Sequence, residues 1–406
     1  RWYAQERLEE SGEAEAVAER LAAWCDRPAA EAAEGLEGPD QPDWLDRIAL
    51  DLDNVRAVLD RGSAADRAAT GLRIAVNLGH FWYQRGQPAE ARDSLAILCS
   101  AAGGDAPSLV RARALRFLGV LAMYQGDQDH AGTAFEAAAR ELGDSDATER
   151  ARILIQHGWQ SWASGDLAQA RALLAVARES LGAHARPWDR ALLAMVEAPL
   201  ADADGDGGRA LRLSRESLAM FEAAGDPFYT AIALNNLGWS LVLVGHADEA
   251  VETLERGREL AESLGYAVPA VNCLESLGRA AQEAGQPELA RRSIWSSLDL
   301  ARLRGIHFPV GDCLYHLAAL EAHEGRTLSA AHALGAAEAA ARLMSRPLVQ
   351  IQEMDTLALR LDSDDPAVAA AREEGRALSM FGCIDLGLAI AADGLDPARE
   401  EPVDER

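Results

Sequence analysis

One spaced set of small residues runs through most of this chain and dictates what it can become. From Gly238, a glycine follows at +7 (Gly245) and an alanine at +12 (Ala250). The same offsets fit Gly79–Gly86–Ala91, Gly119–Gly126–Ala131, Gly158–Gly165–Ala170, Ala198–Gly205–Ala210, Gly278–Gly285–Ala290 and Ala318–Gly325–Ala330. Each step is 40 residues, with a single step of 39. A period of this length marks stacked supersecondary units. Each unit reads as helix A, a turn at the middle glycine, then helix B. The first small residue lets helix B cross close to helix A. The alanine opening helix B, and a further small residue seven on (Ala138, Ala177, Ser217, Ser297), admit the helix A of the next unit. Gly143, Gly182, Gly225, Gly265 and Gly305 suit helix C-caps. One helix pair cannot bury its own apolar face, whereas stacked pairs share a continuous core. The spacing therefore predicts an all-α array of seven long hairpins over residues 62–346, closed at both ends by helical caps.

Composition agrees and removes several chemistries. Of 406 residues, 49% are hydrophobic and only 5% aromatic, which favours helices packed through small side chains. No apolar run approaches the length of a membrane span. All 39 basic residues are arginine. Without lysine there is no P-loop lysine, Schiff base or Ser-Lys dyad. The formal charge of −26 opposes binding to phosphate backbones or anionic lipid, so neither nucleic acid nor membrane is an expected partner. Cys25, Cys99, Cys273, Cys313 and Cys383 are scattered and odd in number, the pattern of reduced thiols in a cytoplasm.

The small–Gly–Ala pattern resembles the tetratricopeptide repeat, whose common unit is about 34 residues; helices longer by a turn or more are expected here. The ends resemble a narrower group. "WYAQERLEESGE" at 2–13, "GPDQPDWLDRIALDLDNVRAVLDR" at 38–61, "AAHALGAAEAA" at 330–340 and "AREEGRALS" at 371–379 are similar to segments of large bacterial ATP-binding signal-transduction regulators of the LuxR-type and antibiotic-regulatory kind. The resemblance implies a right-handed superhelix of tetratricopeptide repeats acting as the sensing arm of a transcriptional regulator. It also implies that residues 1–61 are a helical cap trailing an upstream winged-helix segment, and that ATPase and DNA-binding modules lie elsewhere in the parent protein. Residues 347–392 are expected to form C-terminal capping helices and 393–406 a disordered acidic tail. A stand-alone adaptor, or an accessory domain of a signalling enzyme, is the rival reading.

Local motifs carry little catalysis. "DADGDGG" at 202–208 begins like a calcium loop, but its twelfth position is Leu213 where a glutamate is needed, and Gly205 falls on the turn of unit four. Cys313, His316, His323 and His332 are not spaced as a zinc site, and no cofactor motif is found. Pro199, inside helix A of unit four, predicts a kink, an early helix end or an opened groove. The segment 44–60 predicts one amphipathic helix with Leu45, Ile48, Leu52, Val55 and Leu59 on one face, Asp43 as N-cap and Gly62 past its end.

The concave face of such an array is lined by helix A. Helix-A offsets from the first small residue collect Asn77, His80, Tyr83, Arg113, Arg116, Tyr124, Arg152, Gln156, Trp159, Trp162, Asn235, Asn236, Trp239, Asn272, Arg279, Asp312, Tyr315, His316 and His323. Carboxamides pair both groups of a peptide bond, aromatic faces give rigid apolar contact, and arginine holds carboxylates bidentately. The ladder predicts a groove for a peptide, a partner segment or a small-molecule effector, with an anionic ligand or acidic segment at the arginine-rich first units.

Overall fold

The computed structural model describes residues 7, 10–62, 67–85, 88–344, 357, 361 and 365–395. The start of the "WYAQERLEESGE" stretch, the turn glycine Gly86, most of 347–364 and the tail beyond 395 lie outside the described residues. Among the described residues the secondary structure is helical throughout, without strands. An N-terminal group comprises α1 (Ala14–Gly35), α2 (Gln41–Leu50) and α3 (Leu52–Arg61). Unit one has a divided helix A, α4 (Ala68–Asn77) and α5 (Gly79–Gln84), and helix B, α6 (Pro88–Ala102). Units two to four are α7 (Ser108–Tyr124) with α8 (Gln128–Leu142), α9 (Ala147–Ala163) with α10 (Leu167–Leu181), and α11 (Pro187–Ala203) with α12 (Gly207–Ala224). Units five to seven are α13 (Pro227–Leu243) with α14 (Ala247–Ser263), α15 (Ala267–Glu283) with α16 (Pro287–Arg304), and α17 (Val310–His323) with α18 (Thr327–Leu343). Helices α19 (Pro366–Arg376) and α20 (Met380–Asp393) follow.

The small residues do what their spacing requires. A Cβ on Gly119, Gly158, Gly238 or Gly278 would approach Phe135, Leu174, Leu254 or Ile294 to 2.4–2.8 Å. Each partner lies sixteen residues on, in helix B of the same unit, so the glycine is a socket and the apolar residue its knob. The alanines that open helix B, from Ala91 to Ala330, are all buried. The described turn glycines have positive φ, as at Gly245 (φ +81°), a conformation other residues adopt at a cost. An aspartate after the turn then caps helix B: Asp127, Asp166 and Asp206 each accept a backbone N–H from three residues on. Asp206 thus places "DADGDGG" in an ordinary interhelical turn.

Two expectations are corrected. The segment 44–60 is not one helix. It is divided at Asp51, and the N-cap position is Asp40 rather than Asp43. Leu45, Ile48, Val55 and Leu59 are nonetheless buried, with Leu52 half-buried. Helix α11 does not end early at Pro199 but runs on to Ala203. Pro199 lacks the N–H that would donate to the Met195 carbonyl, and the helix continues for four residues beyond it.

The array coils back on itself. Tyr83 of unit one meets Tyr229 of unit five, hydroxyl to hydroxyl at 3.1 Å. The turn of unit two abuts the end of unit seven, where a Cβ on Gly126 would strike the Met344 sulfur. At the far end α18 and α19 cross backbone to backbone: a Cβ on Gly335 would lie 2.0 Å from the Arg372 carbonyl oxygen, and one on Gly375 2.3 Å from that of His332.

Candidate binding groove

The groove has two halves of opposite character. The first is walled on one side by this chain's own N-terminal segment, which leaves a cleft with about 1090 Å³ of empty space, part of it continuous with solvent, against Asn77, His80, Arg113 and Arg116. The link between α1 and α2 places Glu37 against helix A of units three and four. Arg152 clasps it bidentately (Nη1–Oε1 2.9 Å, Nη2–Oε2 3.0 Å), and Arg186 adds a bond at 3.0 Å. His80 Nε2 lies 3.4 Å away. Arg152 also donates to the buried Asp189 (2.7 Å) and lies over the Trp188 ring. Burial pushes the Glu37 carboxyl up, but its cationic neighbours, Arg152 foremost, outweigh that and bring it from the ordinary 4.5 to about 2. His80 moves from 6.5 to about 4, chiefly through burial. It is therefore neutral at pH 7, and the two arginines hold Glu37. Arg113 and Arg116 are engaged by Glu149, and Arg116 also donates to Gln156 (3.3 Å).

Gln41 anchors the same segment deeper. Its amide nitrogen donates to the Leu36 carbonyl (2.6 Å) and to Asp226 (3.2 Å). Its oxygen accepts from the Phe228 N–H (3.2 Å) and the Tyr266 hydroxyl (2.6 Å). Asp226 accepts from the Tyr229 N–H and Trp188 Nε1 as well. Burial nevertheless raises its carboxyl from 3.8 to about 6. Sequence reasoning missed Glu37 and Gln41 because their partners are 115 and 185 residues away.

The second half is open. A pocket with about 810 Å³ of empty space, part of it continuous with solvent, is lined by helix A of units three to seven, by Ser214 of α12 and by Phe308 and Pro309 ahead of α17. It brings together Trp159, Trp162, Asn235, Asn236, Trp239 and Asn272 of the predicted ladder. It adds residues the ladder did not predict, among them the carboxylates Asp202 and Glu275 and the ring of Pro199. Asp312, at the mouth of unit seven, lines it too. The guanidinium of Arg279 lies 4.6 Å from the Trp239 ring centre. His316 Nε2 is 3.3 Å from Glu275 Oε1, and Tyr315 is buried beside His316. His323 is exposed and outside this grouping. Asn77 and His80 line the first half of the groove; Tyr83 and Tyr124 stack on one another between the unit-one and unit-five contacts.

The repeat register shows why the space exists here. At +16, units one to three and five to seven carry Leu95, Phe135, Leu174, Leu254, Ile294 and Leu334. Unit four carries Ser214. A serine cannot fill the volume of a leucine or phenylalanine. Its hydroxyl instead pairs with Ser240 at 2.9 Å, and both line the pocket with Ala198 and Ser276. Ser214 was legible as a break in the repeat, had the knob position been tracked beside the socket.

The described fold is a tetratricopeptide-like helical solenoid. The family model "Tetratricopeptide repeat" matches residues 201–263, which cover the turn and helix B of unit four and all of unit five. Over 88% of its length the chain is similar to 99% of a Rap protein crystallised with competence and sporulation factor, at 14% identity and a TM-score of 0.56. It is also similar, over 85% of its length, to 52% of a signal-transduction ATPase with numerous domains bearing a tetratricopeptide repeat sensor, from Pyrococcus horikoshii; identity is 11% and the TM-score 0.45. At 14% identity the likeness to the Rap protein marks a shared fold alone. No curated protein sequence matches the chain. Among the described residues no helix is long and apolar enough to cross a membrane.

Proposed function

We propose that this chain is a non-catalytic binding domain that receives a ligand or partner segment in the open half of its groove and passes that event to a larger regulator. The observation that carries the reading is the pocket at Ser214, where one departure from the repeat register opens space among three tryptophans and three asparagines. A purely structural array gains nothing from it, because an apolar side chain at that position would stabilise the stack by about 1–2 kcal/mol. The pocket touches helix A of five units, so occupation bears on the curvature of the array. The latch of Glu37 and Gln41 is anchored on units three to six, so the same change in curvature bears on the N-terminal segment. A ligand favouring one curvature then shifts the latch equilibrium by its differential affinity. The resemblance of the chain's ends to segments of ATP-binding bacterial regulators supports an output through modules outside this chain.

Ser214→Leu tests it. The variant restores the register of the other units and is expected to fold with equal or greater stability while losing at least about tenfold in affinity for any groove ligand. A partner recovered with the parent chain and bound unchanged by Ser214→Leu would place the binding surface elsewhere.

A further inference from the structure

The open pocket has a chemical bias of its own. Three carboxylates, Asp202, Glu275 and Asp312, share it with three indoles, and beside them the guanidinium of Arg279 lies over the Trp239 ring. The formal charge of the lining is acidic. Asn235 Oδ1 and Glu275 Oε1 are buried and accept no hydrogen bond, and the contact between His316 and Glu275 lacks hydrogen-bond alignment. Unsatisfied buried acceptors are costly, and a ligand bearing N–H donors relieves that cost. Indole faces attract cations, as Trp239 already does with Arg279. One buried donor, Trp159 Nε1–H, is without a partner and suits a carbonyl.

We infer that the pocket receives the guanidinium or ammonium group of an arginine or lysine side chain on a partner peptide. The carboxylates and free indole faces hold the cation, and Trp159 with Asn235, Asn236 and Asn272 pairs the peptide backbone. The inference rests on the pocket being the binding site. The first half of the groove shows the converse pairing, arginines holding the carboxylate of Glu37, so the two halves select opposite charges. A chain of net charge −26 also draws basic segments toward it.

The test uses the whole chain and four capped seven-residue peptides, identical except for a central Arg, Lys, citrulline or Glu, with methylguanidinium as a fifth probe. Binding is read by titration calorimetry. The Arg and Lys peptides are expected to bind, the citrulline peptide at least about tenfold more weakly and the Glu peptide not at all. Glu275→Gln and, at the more accessible edge, Asp202→Asn should each weaken the Arg peptide while leaving the citrulline peptide unchanged. Methylguanidinium should bind more weakly than the Arg peptide; equal affinity would overturn the backbone contacts. Citrulline or Glu binding as well as Arg, or no Arg peptide binding up to millimolar concentration, would overturn the cation assignment. If such ligands still depend on Ser214, the pocket reading survives. If the Arg peptide binds Ser214→Leu and Trp162→Ala as it binds the parent chain, the pocket is not the site and both readings fall.

Discussion

Glu37→Gln removes one charge from the N-terminal segment that walls the first half of the groove and keeps its shape. The cost follows from the carboxyl itself. Its position near 2 against an ordinary 4.5 corresponds to at most about 3 kcal/mol, at ~1.4 kcal/mol per tenfold. The sign is that of a depressed acid: the stabilisation is complete above pH 4.5 and is lost as pH falls towards 2. At pH 7 the amides of the Leu36–Gln41 stretch should therefore exchange up to about 100-fold faster in the variant. By pH 3 the difference should shrink to about 1.4 kcal/mol. Local exchange is the proper assay, because a stacked array need not unfold as a single cooperative unit. Arg152→Met is the partner perturbation. It strips the bidentate clasp from Glu37 and leaves the buried Asp189 with Arg186 alone, a loss of about 3–5 kcal/mol. In that background Glu37→Gln should cost under ~1 kcal/mol, since the two residues act as one pair. A penalty at pH 7 below ~1 kcal/mol, or one as large at pH 3, would refute the claim that ion pairing holds this segment in the groove.

Three further perturbations reach other parts of the structure. Asp226→Asn should flatten the pH dependence of stability: the raised carboxyl favours the fold below pH 3.8 and loses about 3 kcal/mol as pH rises through 6, a slope that thermal unfolding between pH 4 and 7 resolves and the variant lacks. Gly238→Ala drives a Cβ to 2.4 Å from Leu254 and should cost about 1–3 kcal/mol in urea unfolding, with part recovered in Gly238→Ala/Leu254→Ala; no cost would mean the helices do not cross there. Gly375→Ala meets backbone atoms that cannot swing aside, so amide protection along α19 should fall by at least about tenfold, whereas Ala370→Gly, on an exposed position of the same helix, should cost only about 1 kcal/mol.

Most of the architecture was readable because it depends on residues that act through size. A glycine at a helix crossing, an alanine at the start of helix B and a glycine at the turn impose geometry whatever surrounds them, and together they mark each unit. The closing motifs were readable in a weaker way. "AAHALGAAEAA" and "AREEGRALS" were noticed as two separate strings, but Gly335 and Gly375 make them one contact, reinforced by Arg372 and Arg376 on Glu338. The break at Leu78 falls beside Gly79, the first small residue of unit one, whereas the break at Asp51 has no proline or glycine beside it.

The groove divides along the same line. Offsets from the small residue identify which helix-A positions face inward, and there the ladder collected Trp159, Asn235, Asn236, Trp239 and Asn272 into one pocket. Offsets say nothing about what else arrives on that face. Arg116 and Arg152 read as ligand groups because their partners, Glu149 and Glu37, belong to the next unit and to the N-terminal segment. The sequence leads to an anionic ligand or acidic partner segment at the first units; in the structure Arg152 and Arg186 hold a carboxylate of this chain's own N-terminal segment. That has a consequence for regulation. An external acidic ligand that took the place of Glu37 on its two arginines would forgo up to about 3 kcal/mol, roughly a hundredfold in affinity. Under the proposed function the input enters through the acidic, tryptophan-lined half, and the Glu37 latch is the element whose equilibrium it biases.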